Sequence, residues 1–409
     1  MNNFVLKKFR SKDTESVYYL LTFLFEFAAG LTFATYVLFL LSKGLDLFQV
    51  MLVNLAFMIG IFIFEIPTGA YADYFGRKKS VILSSTFLII ALFIYFVSSN
   101  ITMFIVAEVI AALAFTFASG ALDAWLVDSL ESKGSSDRVD FIFSHAEIIS
   151  KLATLFAGLI GAYIGSVSLA LPFGAGAAVA LLSLFVSIFF IRENFVRRKA
   201  LNLVGGIFQM GKVAKDSITY GVKHKVVLWL IISTVLATLA FQPLNMYWSP
   251  RLNTLAGDKI WLMGWIWALM SAFMMLGSFT VRGLLKKEKT YFWILILTSL
   301  VLAIAVLSSS MSNLFAVALV SFLIYELGRG MLNPVQKSYL NKYIPGEQRA
   351  TVLSFNSMMG KVGAGVGLVI FGLVAKNYSI QTSWFIAGLL LFLLIPIYMR
   401  VRKHEMVLK

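Results

Sequence analysis

Twelve long apolar runs, parted by short polar breaks, govern what this 409-residue chain can become. They lie at 17–43, 48–71, 80–98, 101–130, 141–166, 169–191, 226–248, 260–283, 290–309, 312–340, 350–375 and 380–400. Crossing ~30 Å of hydrocarbon as a helix takes about 20 apolar residues, and inside lipid every backbone N–H and C=O must be satisfied within its own segment. The runs therefore predict an all-α integral membrane protein with twelve transmembrane helices, the longer ones tilting or extending past the bilayer. With 59% apolar and only 13% charged residues, a water-soluble globule is excluded. The first run follows Lys7, Lys8, Arg10 and Lys12, but it is too long for a signal peptide and lacks a small-residue cleavage site, so it reads as a mature helix.

The net charge of +15 points to topology rather than to nucleic acid. With the N-terminus placed in the cytoplasm, 28 of the 35 Lys and Arg fall on that side. Four fall on the other (Lys43, Arg251, Lys259, Lys376), and Lys151, Arg329 and Lys361 lie inside helices. This is the positive-inside pattern, which puts both termini in the cytoplasm and implies contact with anionic membrane lipid. The chain has no cysteine, and its three histidines are scattered at 145, 224 and 404, so no disulfide and no metal site is expected. There is no P-loop, and Gly363, Gly365 and Gly367 follow no strand, which suits helix packing rather than phosphate binding. No cofactor is expected, and no His–acid cluster or Ser/Lys pair at catalytic spacing suggests an enzyme.

The longest polar break divides the chain into an N-terminal six-helix bundle (1–191), a cytoplasmic central loop (192–225) and a C-terminal six-helix bundle (226–409). Ile207, Met210, Val213 and Ile218 of the loop suit an interfacial amphipathic helix or a solvated linker equally well. A shift of 210 residues lays Gly120 on Gly330, Asp123 on Asn333 and Lys151 on Lys361, which predicts two pseudo-symmetric halves from an old duplication. Parallel six-helix repeats are one known way to build a transporter with its site between halves.

Between the second and third runs stands G69-A-Y-A-D73-Y-F-G76-R77-K78-K79. It resembles the loop 2–3 signature of the major facilitator superfamily, G-x-x-x-D-x-x-G-R-[KR]-[KR], and with the half-repeat spacing and central loop the resemblance covers essentially the whole chain. It implies a secondary transporter working by alternating access, whose cytoplasmic seam needs a breakable latch. Gly69 is read as allowing close helix approach, Asp73 as meeting the positive N-terminus of a helix from the other half, and Gly76 as permitting the tight turn. The family pattern pairs Arg77 with Asp128. A plainer reading, that these cations only fix topology, accounts for Lys78 and Lys79. The sequence also departs from the pattern. Tyr74 replaces a second basic residue, and T116-F-A-S-G120 resembles the R-x-x-x-G segment of many proton-driven drug exporters with Thr116 in place of arginine. A157-G-L-I-G161-A162 resembles the antiporter signature G-P-x-x-G-G without its proline.

An ionisable group near the bilayer centre costs ~2.5–3.5 kcal/mol on insertion scales, so each is a functional candidate. At about 100° per residue, Glu108, Thr116, Ser119 and Asp123 share one face of the fourth run. The tenth run offers Glu326, Arg329, Asn333 and Lys337, and the seventh offers Gln242, Asn245 and Trp248. The resemblance implies that the first, fourth, seventh and tenth helices line the central cavity. Glu26, Asp123 and Glu65 are the proton-coupling candidates, able to take a proton from one side and release it to the other. Glu26 could instead be paired with Lys151, and Glu65 could cap backbone freed by Pro67. Lys151 has a local partner in Glu147, while Lys361 either reaches Glu326 or awaits an anionic group on the substrate. These residues favour proton-coupled export of amphipathic or cationic small molecules by a monomer in the bacterial inner membrane, resembling the bacterial drug/proton exporters. The alternatives are transport of an anionic metabolite or lipid-like solute through Arg329, Lys361 and Lys151, and a receptor or scaffold that keeps the fold without transporting.

Overall fold

A computed structural model describes residues 2–193, 224–284 and 291–407. The segment that could form an amphipathic helix at 207–218 lies outside the described residues. Every regular element among the described residues is helical. In chain order they are α1 (Asn2–Gly30), α2 (Tyr36–Ser42), α3 (Leu47–Phe75), α4 (Arg77–Val97), α5 (Ile101–Ala118), α6 (Ala121–Ser132), α7 (Val139–Val167) and α8 (Leu171–Phe190). Then follow α9 (Lys225–Leu255), α10 (Ile260–Leu284), α11 (Tyr291–Met311), α12 (Phe315–Lys342), α13 (Arg349–Asn377), α14 (Ile380–Phe392) and α15 (Leu394–Val407). With α5–α6 and α14–α15 each taken as one span, 11 spans among the described residues are long and apolar enough to cross a membrane. The first run, as α1 and α2, completes the expected twelve. The outer surface is apolar, as lipid requires: Phe93, Phe189 and Phe279 are 55%, 64% and 73% exposed.

Three expected runs are interrupted. The first breaks at 31–35, where Thr32 donates its hydroxyl to the Ala29 carbonyl at 2.9 Å before α2 begins. The fourth breaks at Ser119–Gly120, with Gly120 at φ +73°. The continuous helical projection that put Glu108 and Asp123 on one face therefore fails beyond Ser119. The twelfth is split at Leu393. Conversely, the polar stretch after the second run is almost wholly helical: α3 runs through Asp73 to Phe75, α4 starts at Arg77, and Gly76 alone lies between them.

The chain forms two compact units: residues 1–45 with 56–207, and 46–55 with 208–409. In the first, α1 packs on α7 and α8, and α4 packs on α5 and α8. Glycine brings these helices to backbone contact, because a Cβ on Gly176 of α8 would stand 2.6 Å from the Ala28 carbonyl oxygen. In the second unit α9 packs on α13, α10 on α12 and α11 on α12 and α14. Trp384 of α14 is buried, stacks on Phe322 at 5.3 Å and donates its indole N–H to the Pro243 carbonyl at 2.9 Å, tying α14 to α9.

The first turns of α3 belong to this second unit. Asp46 and Gln49 form a reciprocal cap, each side chain accepting from the other's backbone N–H at 2.8–2.9 Å, and Lys376 of α13 meets Asp46 at 3.0 Å. Burial pushes the Asp46 carboxyl up, but the Gln49 and Phe48 backbone groups and the Lys376 ammonium together hold it below the usual carboxylate range. A lowered carboxyl adds stability above its unfolded value of about 3.9 and loses it as pH falls through the folded value. Wild type is therefore expected to lose more thermal stability than Asp46→Asn when the pH is dropped from about 6 to about 3, measured by melting in detergent.

Candidate functional site

Within the first unit a cavity of about 470 Å³ opens where α1, α4, α6, α7 and α8 meet the break at Ser119–Gly120. Glu26 of α1, Asp123 of α6 and Glu147 of α7 line it, with Phe25, Phe115 and Phe143 forming apolar wall. No Lys or Arg is among the described lining residues. Gly120 carries the geometry: its left-handed turn restarts the helix at Ala121 and brings Asp123 onto the cavity wall, where Oδ1 accepts the Tyr18 hydroxyl at 2.7 Å. Ser119 also lines the space. The hydroxyl side is made by α4 and α8, where Ser85 and Ser183 are 3.1 Å apart and the buried Ser84 hydroxyl has no partner among the described residues. Lys151 forms its ion pair with Glu147 at 3.2 Å, and its charge also acts on Glu26.

Two members of the expected stripe go elsewhere. Thr116 is buried, donates its hydroxyl to the Leu113 carbonyl and does not line the cavity. Glu108 is buried between Tyr36 and Tyr95. Glu65 is exposed on α3 and is not free of partners.

The signature residues assemble around α4. Arg77 meets Asp73 at 2.6 Å and approaches Asp128 to 4.0 Å. The residue that sequence reading missed is Glu193, just past α8. Its carboxylate accepts the backbone N–H groups of Arg77 at 2.7 Å and Lys78 at 3.0 Å, capping α4. Gly76 sits at φ +104°, and a Cβ there would stand 2.8 Å from a Glu193 oxygen, so both the turn and the cap require glycine. Nothing in the local spacing of Glu193 signals this, since its partner lies more than a hundred residues earlier. A helix N-cap is worth about 1 kcal/mol, so Glu193→Ala should lower the melting temperature by roughly 2–4 °C in a thermal melt, with Glu193→Gln recovering most of the loss. A Cβ on Gly69 would meet no atom within 4 Å among the described residues, so no helix of the first unit packs closely against it.

In the second unit Arg329 of α12 has several partners. It pairs with Glu326 at 3.1 Å, donates to Asn245 and to the Met274 sulfur, and lies over the Tyr325 ring. Trp248 is buried against Trp267 rather than offered to open space. Gln242 donates to the Thr238 carbonyl at 3.4 Å, Asn333 is exposed, and Lys361 is not free of partners. No cluster able to hold a metal exists among the described residues.

The chain matches the family model described as Major Facilitator Superfamily over residues 18–334 and 287–409. It is 25% identical over 389 residues to the uncharacterized MFS-type transporter YxaM of Bacillus subtilis (strain 168), spanning 93% of this chain and 94% of that one. Multidrug resistance protein 2 of the same organism is 24% identical over 139 residues, 34% of each chain. Among solved structures the nucleoside transporter NupG superposes with a TM-score of 0.80 at 16% identity, over 95% of this chain and 99% of that one. The D-xylose–proton symporter superposes with a TM-score of 0.69 at 16% identity, over 94% and 96%. Likeness at this identity shows the fold alone.

Proposed function

Because the chain belongs to the major facilitator superfamily, and so is a multi-pass membrane transporter and not an enzyme, we propose that it exports amphipathic cations in exchange for protons. The observation that carries this reading is the first-unit cavity: Glu26, Asp123 and Glu147, aromatic walls and no cation among the described lining residues. A cation gains Coulomb attraction and ring-face contact there, while an organic anion would face the carboxylates of Glu26 and Asp123, neither held in an ion pair among the described residues. The partial relationship to a multidrug resistance protein agrees with such substrates. Glu26 and Asp123 are the coupling pair, each able to hold either a proton or the cation. Glu65 is a third coupling candidate outside the cavity. Asp73, Gly76, Arg77 and Asp128, with Glu193, form the cytoplasmic latch of a bacterial inner-membrane monomer, and the excess of Lys and Arg on that side supports cytoplasmic termini. The contacts of Arg329 and the Glu147 partner of Lys151 count against an anion site built from those cations.

Proteoliposomes test this directly. A lipophilic cation such as tetraphenylphosphonium should drive proton movement in wild type, while an organic anion of similar size should not. Asp123→Asn and Glu26→Gln should each cut coupled flux by about 10²-fold or more, in line with loss of an essential proton carrier. If anions alone move protons, and both variants match wild type, the reading fails.

A further inference from the structure

Glu108 lies in α5, seven residues from its start, at the end of the first unit away from Gly76. Its side chain is not part of the cavity, yet it is only 7% exposed. One carboxylate oxygen, Oε1, accepts two phenol hydroxyls, from Tyr36 of α2 and Tyr95 of α4, both at 2.6 Å. The two phenol oxygens are themselves 3.3 Å apart. The surroundings are aromatic and apolar. Phe104 and Phe173 stack on the Tyr95 ring, Phe39 meets it edge-on, and Gly60 of α3 packs onto Ala112 one turn along.

Facing this carboxyl, Tyr36 is the titratable group from α2 and Tyr95 the one from α4; α3 presents Gly60 and α8 presents Phe173. Among the described residues Glu108 makes no ion pair. Glu147 and Glu326 differ, each having a cation within 3.2 Å, and Asp123 opens onto the cavity. A buried carboxylate without a counter-charge carries a large desolvation cost that two phenols offset only in part, and uptake of a proton removes it without moving a helix.

We propose that Glu108 is a proton-binding site of the first unit, separate from the cavity acids, and that Tyr36 passes its state to α2. The proton comes from a hydronium ion at that end of the bundle and adds to a carboxylate oxygen, leaving water. The neutral carboxyl then accepts the phenols less strongly. Tyr36 is the first residue of α2, directly after the break at 31–35, and the helix start has no side-chain cap. The phenol is thus the polar tether of α2, and protonation loosens it.

The test is infrared difference spectroscopy of the full-length protein in liposomes between neutral and acidic pH, reading the band of protonated carboxyls. A titrating component should appear in wild type, persist in the Glu26→Gln/Asp123→Asn double variant and vanish in Glu108→Gln. Tyr95→Phe keeps the ring and removes one donor to the charged form, which should move the midpoint by about one to two pH units. A Glu108→Gln spectrum equal to wild type overturns the proposal, as does a midpoint unmoved by both Tyr95→Phe and Tyr36→Phe. Should Glu108→Gln fail to assemble, the two phenylalanine variants decide. No substrate is needed, so this outcome stands apart from that of the cation-transport assay.

Discussion

Gly161→Ala should leave little folded protein. A Cβ at this position of α7 would stand 1.8 Å from the carbonyl oxygen of Leu31 and 2.7 Å from its carbonyl carbon. Those atoms are backbone and cannot rotate away as a side-chain tip could. Leu31 opens the break between α1 and α2, and its position is fixed by its own N–H bond to Phe27 at 3.2 Å and by the Thr32 bonds to Ala29. The crossing is tight along its whole length: a Cβ on Gly30 would meet that of Ala157 at 2.9 Å, and one on Gly165 would meet a Thr35 methyl at 3.0 Å. Overpacking a core by one methyl ordinarily costs about 1–3 kcal/mol. Here two backbones must separate, so the loss approaches the total stability of a domain, ~5–15 kcal/mol. The expected monodisperse peak in size-exclusion chromatography is less than about a tenth of wild type. Gly69→Ala, in the signature but with open space around it, should elute as wild type. Equal yields for the two variants would show that α7 can shift and that the crossing is not rigid.

The reason this position was hard to single out bears on what the sequence could reveal. Span lengths were legible because bilayer thickness fixes them, and the family signature because Gly76, Asp73 and Arg77 sit in a few consecutive residues. Glycine roles were not, because A157-G-L-I-G161-A162 looks alike whether its glycines kink, turn or pack. Gly120 and Gly330 make the point. They coincide at the 210-residue shift, yet Gly120 breaks its helix at φ +73° while Gly330 stays inside α12, where a Cβ would stand 2.0 Å from the Met274 carbonyl oxygen. That one difference moved Asp123 onto the cavity wall and left Glu108 elsewhere, splitting a stripe that a regular helix would have kept whole. Glu26 and Asp123 were found as isolated acids in apolar runs, a strong local signal. Tyr18, Tyr36 and Tyr95, which bond to the acids of these helices, gave none, since a tyrosine among many aromatics carries no mark of the partner it will meet.

Arg329→Ala should destabilise the second unit by about 3–5 kcal/mol, because it strands a buried charge. Glu326 is 1% exposed and its ion pair to Arg329, at 3.1 Å, is the only one it makes among the described residues. The guanidinium also holds Asn245, the Met274 sulfur at 3.4 Å and the face of Tyr325, so three neighbours lose a contact together. A fall in melting temperature of roughly 6–20 °C follows for a unit of this size. The double variant Glu326→Gln/Arg329→Gln removes both charges while keeping polar groups of similar shape, and buried pairs replaced together often cost little. It should therefore melt within about 4 °C of wild type, showing that the single variant fails through the stranded carboxylate. The same double variant separates the two transport readings. If Arg329 serves only to neutralise Glu326, the double variant keeps proton-coupled cation flux, because the carboxylates of the first-unit cavity are untouched. A stable double variant that loses flux would instead place the second unit's charge pair in the transport cycle itself, and would return Arg329 to the list of substrate contacts.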